Sequence, residues 1–491
     1  MRSTALQLYN SLTRKKEPFV PVTKGHVGIY FCGPTVYSEP HLGHARGPIF
    51  FDVVRRWFEH QGYSVRLVAN ITDVGHLTDD ADEGEDKLLK RAALEKLEPM
   101  EVAEKYFWAY FDAMAKLGVR RPSIVPRASG HIVEQIELTG ELLEHGLAYE
   151  REGSVYFDVS AWAAYGELSG RNAADQVEGS RVAVRSDKDD PRDFALWKRA
   201  EQGHIMRWKS PWGEGYPGWH LECSVMSTKY LGDEFDIHGG GLDLIFPHHE
   251  CELAQARGAG KAFARYWLHW NMLTLSGEKM AKSKGHFVTL AQLFKDYDPL
   301  VVRFHLLCAH YRSLSDFSDD SLQGSRQGYK RLQDLYRELL RRLDGEEDGR
   351  NQDSNKDSNK DREGAFDGYR ARFAEAMNDD FNTPQAIAVL FDASRDINAK
   401  LSQGPSADSL RAAKAFYDEL ALGVLGLDLN GEAPRGDLKR LDGLLEMVLE
   451  QRQEARLRRD FRTADSIREQ LHSLGIVLED TPAGSRWKLG S

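Results

Sequence analysis

The sequence predicts an α/β protein: a Rossmann-like parallel sheet carrying an insertion, followed by an α-helical region and a small C-terminal unit. Three observations lead there. VGIYFCGPTVY, GPIFFDVVRRWFEHQGY and SVRLVANITD read in order as a buried strand entering a loop, an amphipathic helix and a second strand. Strand, glycine-bearing loop, helix, strand is the βαβ unit of an open parallel sheet, whose ligands bind at the carboxyl ends of the strands. Between about 120 and 225 the pattern gives way to short strands such as SVYFDVS and turns such as SPWGEGYPGW, after which DEFDIHGGG and RYWLHWNMLTL return to buried strands. From about 320 onward apolar residues recur at i, i+3 and i+4, the mark of packed helices.

These shifts divide the chain into a first half of the sheet domain (1–120), a connective insertion (121–225), a second half (226–320), a helical bundle (321–430) and a C-terminal unit (431–491). In the bundle, GYKRLQDLYRELLRRL and FAEAMNDDFNTPQAIAVLFDASRDINAKL are both expected to be helical. NQDSNKDSNKDREG between them repeats DSNK, can bury no core, and reads as a flexible loop. The last unit mixes a charged helix with a short end punctuated by glycine and proline.

A chain of 491 residues is too long for one core. With 41% hydrophobic and 29% charged residues it has the composition of a soluble globular protein. No apolar run approaches the roughly 20 residues of a membrane span. The N-terminus lacks a signal-peptide core, which leads us to expect a cytoplasmic protein. A net charge of −11 argues against wholesale nonspecific nucleic-acid binding but leaves room for a local basic face. The four cysteines, Cys32, Cys223, Cys251 and Cys308, form no CxxC pair, so a disulfide framework is not expected. Cys308, within VVRFHLLCAHY, reads as a small buried apolar residue.

HLGH (His41 to His44) opens a helix in the βαβ unit. A helix N-terminus offers free N–H donors and the positive end of the dipole, and imidazoles beside it can stabilise phosphate oxygens. Gly43 lets a flat ring approach the backbone. Taken alone, the motif fits two surface histidines near a helix start equally well. GEKMAKSKG (277–285) places three lysines in a glycine-flanked loop after a strand. Mobile ammonium groups can follow a triphosphate through its transition state, although such a run is more often a solvated basic loop. HGGG (238–241) follows a strand; its glycines permit close approach of an adenosine, or simply a tight turn.

HLGH followed by KMAKS resembles the class I aminoacyl-tRNA synthetases, whose signatures are HIGH and KMSKS; Ala281 replaces the first serine, while Lys279, Lys282 and Ser283 are kept. FCGPTVY, NITD, GWHLECSVM and FDIHGGGLDLIFPHHECE together resemble the cysteinyl-tRNA synthetases from the first residues to RDFRTADSIREQL. One departure is NITDVGHLTDDADEGEDK, longer than the common NITDIDDK, which reads as a tolerated loop variant. The resemblance implies ATP as substrate with Mg²⁺, bound by His41, Gly43, His44, Gly239, Gly240, Lys279 and Lys282, with His41, His44 and Lys282 catalytic. It implies one zinc ion per chain on Cys32, Cys223, His248 and Glu252, with His249 a non-ligating neighbour. The residues alone reach only part of this: His248 and Glu252 share a helix face at i, i+4, but spacing does not tell Cys223 from Cys251.

Thr35 and Trp219 match substrate-pocket positions; on residue type alone, Trp219 is equally an ordinary core tryptophan. From 452 to 470 six arginines stand against four acids. Charge alone makes this a solvated helix face. The resemblance makes it the anticodon-binding unit, with Arg456, Phe461 and Asp465 at base-reading positions and Phe461 where tryptophan is common. The implied function is ATP-dependent ligation of L-cysteine to tRNA(Cys) through a cysteinyl-adenylate, by a monomer. A ligase that couples cysteine to an amino sugar would share the adenylating half but has no use for some 170 residues beyond 320. A non-catalytic tRNA-binding paralogue would not be expected to keep both signatures intact.

Overall fold

The computed structural model describes residues 5–75, 86–171, 188–201, 204–275, 278–279, 288–347, 364, 366–430, 435–473, 476–481 and 484–489. Most of KMAKS, including Lys282 and Ser283, lies outside the described residues, as do 76–85 of the lengthened NITD segment and the DSNK repeat. Two compact units divide the chain, Met1–Leu429 and Asn430–Ser491.

In the first unit an antiparallel hairpin of β1 (Gln7–Asn10) and β2 (Lys15–Pro18) precedes the central sheet. That sheet begins with β3 (His26–Phe31), crosses through helix α1 (Gly43–His60) to β4 (Ser64–Ala69), and pairs the two strands in parallel. Helices α2 (Lys87–Glu95), α3 (Pro99–Lys116) and α4 (Ile132–Glu144) follow. Five strands, β5 (Ala148–Arg151), β6 (Ser154–Phe157), β7 (Phe194–Arg199), β8 (Trp208–Ser210) and β9 (Gly213–Pro217), build a separate antiparallel sheet in the order β5-β6-β7-β9-β8. The chain then returns through the Leu221–Leu231 helix to β10 (Glu234–Gly241) and, after the Glu250–Gly258 helix, to β11 (Phe263–Trp270). The parallel order is β11-β10-β3-β4, so Ile29 and Ile237, 208 positions apart in sequence, lie in register on neighbouring strands.

The α1 sequence explains its place. Ile49, Phe50, Phe51, Val53, Val54, Trp57 and Phe58 are all buried, and the Phe51 ring stacks on Phe31 at 5.1 Å. Each such side chain contributes about 1.5–3 kcal/mol on leaving water, and together they fix the helix, and HLGH at its start, against the carboxyl end of β3.

Beyond β11 a small sheet in the order β13-β12-β14 is made by β12 (Leu273–Leu275), β13 (Glu278–Lys279) and β14 (Ser315–Phe317). Helices Asp319–Glu347, Asp367–Asn378, Thr383–Leu401 and Ala407–Tyr417 form the bundle. The expected continuous helix through FAEAMNDDFNTPQ is broken at 379–382: Asp380 and Phe381 take left-handed φ values of 61° and 52°, and Asn382 caps the next helix with Pro384 in its first turn. Cys308 is likewise not the buried residue expected. It is exposed at the cap of the Pro299–Leu307 helix, where the apolar face ends.

The second unit contains helices Arg435–Leu457 and Phe461–Ser473 and a hairpin of β15 (Ile476–Thr481) and β16 (Gly484–Leu489). Its charged helix is two helices, separated where Arg459 adopts a φ of 61°. Among the described residues no helix is long and apolar enough to cross a membrane.

Candidate active site and metal centre

A cleft of about 380 Å³ opens at the carboxyl ends of β3, β10 and β11; its walls include Cys32, Thr35, His41, Gly43, His44 and Trp219. Helix α1 starts on this cleft with no side-chain cap and no acid in its first turn, so the positive end of its dipole faces the cleft uncompensated by a carboxylate, although the His44 and Ala45 N–H groups already donate to His41 O and Leu42 O. The rings of His41 and His44 stack at 3.6 Å, and the His41 N–H donates to His44 Nδ1 at 3.3 Å. The same segment is tied to the residues after KMAKS: the Leu42 N–H donates to Val288 O and the Leu290 N–H to Pro40 O. Lys279 pairs through its backbone with Thr274 of β12, so the described approach to the lysine loop is an antiparallel hairpin.

At the floor, which Cys32 alone of the four lines, Cys32, Cys223, His248 and Glu252 bring one donor atom each to within 4.8 Å of one another. Cys32 directly follows β3, Cys223 lies on the Leu221–Leu231 helix, and His248 precedes the helix that carries Glu252. The two Sγ atoms are 3.7 Å apart and His248 Nε2 is 3.0 Å from Glu252 Oε1. Cys251, which spacing could not separate from Cys223, lies instead in the apolar core beneath the insertion, 3.3 Å from the Tyr165 hydroxyl.

Three of the four members of this cluster are almost wholly buried, Cys32 less so. Burial disfavours every charge in it, yet His238 and His248 hold the Glu252 carboxyl well below its usual range. Glu252 and Cys223 in turn raise His248 to about 10. Against the same burial, the Cys32 S–H and His248 bring Cys223 down to about 6, whereas burial and Cys223 push Cys32 up. The site thus stabilises a thiolate and a carboxylate with a proton where a cation would serve.

Sequence reasoning missed the shell around this cluster. His238 Nε2 contacts Glu252 Oε2 at 2.6 Å and stacks on Trp267. His249 Nε2 lies 3.3 Å from Cys32 Sγ, its Nδ1 shares a hydrogen bond with His269 Nε2, and His269 Nδ1 shares one with the Ser11 hydroxyl. His220 Nδ1 meets His248 Nδ1 at 2.9 Å, and Trp219 stacks on His248 at 4.3 Å. Cys32, His238, His249 and Glu252 therefore form a second set whose donor atoms lie within 4.8 Å of one another, with Cys32 and Glu252 common to both sets.

Burial pushes His249 down and takes His269 to about 3, so both stay neutral. Within HGGG, Gly240 makes room for this shell, since a Cβ there would strike the His249 ring at 2.3 Å, whereas one on Gly239 would strike the core Phe51 ring at 2.1 Å. Of the HGGG glycines, only Gly241 lines the cleft. A histidine set among glycines at a strand's carboxyl end was the signal available in the sequence.

In the second unit, Arg456 ends one helix, and Phe461 and Asp465 sit one turn apart at the start of the next; all three are exposed, Phe461 at 59%.

Comparison with known proteins agrees with this architecture. The family model for the tRNA synthetases class I (C) catalytic domain matches residues 18–327, that of the DALR domain 372–430, and that of the cysteinyl-tRNA ligase anticodon binding domain 439–487. The chain is 54% identical to the cysteine–tRNA ligase of Thermus thermophilus over 487 residues, covering 99% of both chains. The chain belongs to the cysteinyl-tRNA synthetase family.

The synthetase is also 54% identical to the cysteine–tRNA ligase of Deinococcus radiodurans, over 98% of this chain and 96% of that one. Among solved structures it is similar to Mycobacterium tuberculosis methionyl-tRNA synthetase in complex with methionyl-adenylate, with a TM-score of 0.61 at 16% identity, covering 84% of this chain and 94% of that one. At that identity the likeness concerns the fold: a class I synthetase sheet followed by helices. The synthetase is by its family an enzyme of the ligase class.

Proposed function

We propose that the synthetase ligates L-cysteine to tRNA(Cys), selecting the amino acid by its thiol. The observation that carries this reading is the buried Cys32–Cys223–His248–Glu252 cluster at the floor of the cleft on which HLGH opens. The donors suit zinc: two thiols, an imidazole and a carboxylate, with an S–S separation of 3.7 Å against the roughly 3.8 Å edge of a tetrahedron with ~2.3 Å Zn–S bonds. Zinc held there would supply affinity for a thiolate that a neutral serine hydroxyl cannot match.

The chain's own residues do the rest. Thr35 and Trp219 shape the pocket over the cluster, and the neutral His249 orients Cys32 while His238 orients Glu252. The carboxylate of cysteine attacks the α-phosphorus of ATP, forming cysteinyl-adenylate and releasing pyrophosphate; the terminal ribose hydroxyl of tRNA then takes the cysteinyl group and AMP leaves. His41, His44 and the N-terminus of α1 stabilise phosphate charge, Gly43 keeps that approach open, and Lys279 and Lys282 follow the departing pyrophosphate, with Mg²⁺ accompanying ATP.

Residues 1–120 and 226–320 then form the adenylating domain around the 121–225 insertion, 321–430 is the bundle that carries tRNA, and 431–491 reads the anticodon with Arg456, Phe461 and Asp465. The match of 439–487 to an anticodon-binding family favours tRNA over a small amine as acceptor. We place this activity in the cytoplasm, in a monomer. The test is cysteine-dependent ATP–pyrophosphate exchange followed by charging of tRNA(Cys). Exchange without charging would return the amino-sugar ligase; neither activity would return the non-catalytic paralogue.

A further inference from the structure

We propose that Arg46 is a positioning residue that fixes the root of the lysine loop relative to His41 and His44. The proposal rests on the role given above to Lys279 and Lys282. Arg46 lies two residues after His44 on α1 and is 3% exposed. Its Nη1 donates to the carbonyls of Asn271 and Met272 at 2.8 and 2.7 Å, and its Nη2 to those of His310 and Ser313 at 3.1 and 2.5 Å. Every acceptor is a neutral backbone oxygen, and among the described residues no carboxylate pairs with Arg46. Burial lowers the guanidinium to about 10, which leaves it cationic at neutral pH.

What these carbonyls belong to gives the arrangement its meaning. Asn271 and Met272 join β11 to β12, the strand whose hairpin leads to KMAKS, and 310–313 leads into β14, the other neighbour of β12. One planar fork therefore holds both leads of the sheet that bears the lysine loop, and holds them to the helix that bears the two histidines. A lysine ammonium, a single point on a flexible stem, cannot span both pairs. The downstream side of the loop is tied to the same helix start through Leu42 N–H to Val288 O.

The helical region grips the other face of the 310–313 turn. Asp380, wholly buried, accepts from the Tyr311 hydroxyl and Arg312 Nε, each at 2.7 Å, and its own carbonyl bonds the His310 ring at 3.0 Å. The left-handed backbone at Asp380 and Phe381 is the kind of strain that persists only where surrounding contacts over-determine it. A buried cation without a carboxylate costs more than an apolar side chain would, so stability alone does not account for Arg46.

The test uses full-length Arg46→Met, Arg46→Lys, Lys282→Ala and Arg46→Met/Lys282→Ala, with exchange rates normalised to active sites titrated by the adenylate burst. A displaced loop root should lower kcat about 100-fold in Arg46→Met, with KM for cysteine within about twofold of wild type. Arg46→Lys should recover part of the loss. The double variant should be no slower than Lys282→Ala alone, because groups that act as one unit do not multiply.

A wild-type kcat per active site in Arg46→Met, with only a lower Tm, would overturn the proposal, and so would a multiplicative double variant. Should Arg46→Met fail to fold, Arg46→Lys carries the test: a several-fold lower kcat at unchanged Tm supports it, and an unchanged kcat overturns it. Wild-type exchange by Lys282→Ala would instead overturn the reading of the lysine loop.

Discussion

On the function proposed above, the floor of the cleft and the Arg456–Asp465 region answer two different recognition problems. At the floor His248 is 1% and Glu252 0% exposed, and the ring nitrogens of the one and the carboxylate oxygens of the other all meet polar atoms of the same chain. In the second unit Phe461 is 59% and Leu457 78% exposed, and the charged pairs are surface pairs such as Glu454–Arg458. A site for a small substrate must be complete before its ligand arrives, since a few contacts have to decide between near-identical molecules. A site for a large polyanion can leave its groups in water, because many contacts share the task. The two regions should therefore respond to mutation in different currencies: selectivity at the floor, tRNA affinity at the surface.

The largest effect is expected at Cys32. Cys32→Ser should lose bound zinc, and its preference for cysteine over serine should fall to the about 10–200-fold that shape alone supplies. Elemental analysis and exchange rates with both amino acids, on one preparation, measure this. A variant without zinc that keeps full selectivity would break the comparison, since the floor would then be structural. Next comes Lys282→Ala: the exchange kcat should drop by about 10²–10³ while cysteine affinity holds, because the ammonium acts as pyrophosphate leaves. Single-turnover kinetics at saturating cysteine resolve the two quantities.

The contrast also explains what could be read from sequence. The βαβ start was legible because its strand, loop and helix are contiguous and strongly patterned, and HLGH is fixed by them. The floor was not, because Cys32 and Cys223 are 191 residues apart and no local period links them. Family likeness supplied the four donors; apart from the glycine run after His238, nothing local announced that His220, His238, His249 and His269 surround them. The break at 379–382 was hidden by apolar spacing that runs through it, and its cause, Asp380 facing Tyr9, Tyr311 and Arg312, is wholly non-local. Cys308 was misread because composition around a residue does not say where a helix's buried face stops.

A smaller effect should follow at the surface. Phe461→Ala should leave exchange unchanged and reduce kcat/KM for tRNA by the stacking energy of one base, about 1–3 kcal/mol, or roughly 5–150-fold. Charging assays across tRNA concentration measure it. An equal loss in exchange would mean that Phe461 supports the fold rather than the tRNA, and the division between the two regions would fail.

The sharpest test, which ends on the smallest effect, asks whether burial, rather than chemistry, is what makes the floor over-determined. Asp52, on α1, offers the same burial without a substrate. It is 1% exposed and accepts from Arg303 and Arg56 at 2.7 and 2.8 Å. Burial alone would raise its carboxyl, but Arg303 and Arg56 outweigh it and hold the group below the ordinary range. A carboxyl with a lowered folded-state value contributes stability that is present above the unfolded value, about 3.9, and is lost as pH falls through the folded one. Asp52→Asn should therefore cost about 3 kcal/mol near neutrality, the usual consequence of leaving a buried cation unpaired, and the gap from wild type should narrow below about pH 4. Glu454→Gln, at an exposed ion pair of the second unit, should change stability by less than about 0.5 kcal/mol at any pH. Denaturant unfolding at pH 7 and pH 3.5, followed separately for each unit, makes the measurement. Equal costs for the two variants would mean that burial does not set the strength of these networks, and the completeness of the floor would then have to come from its ligand.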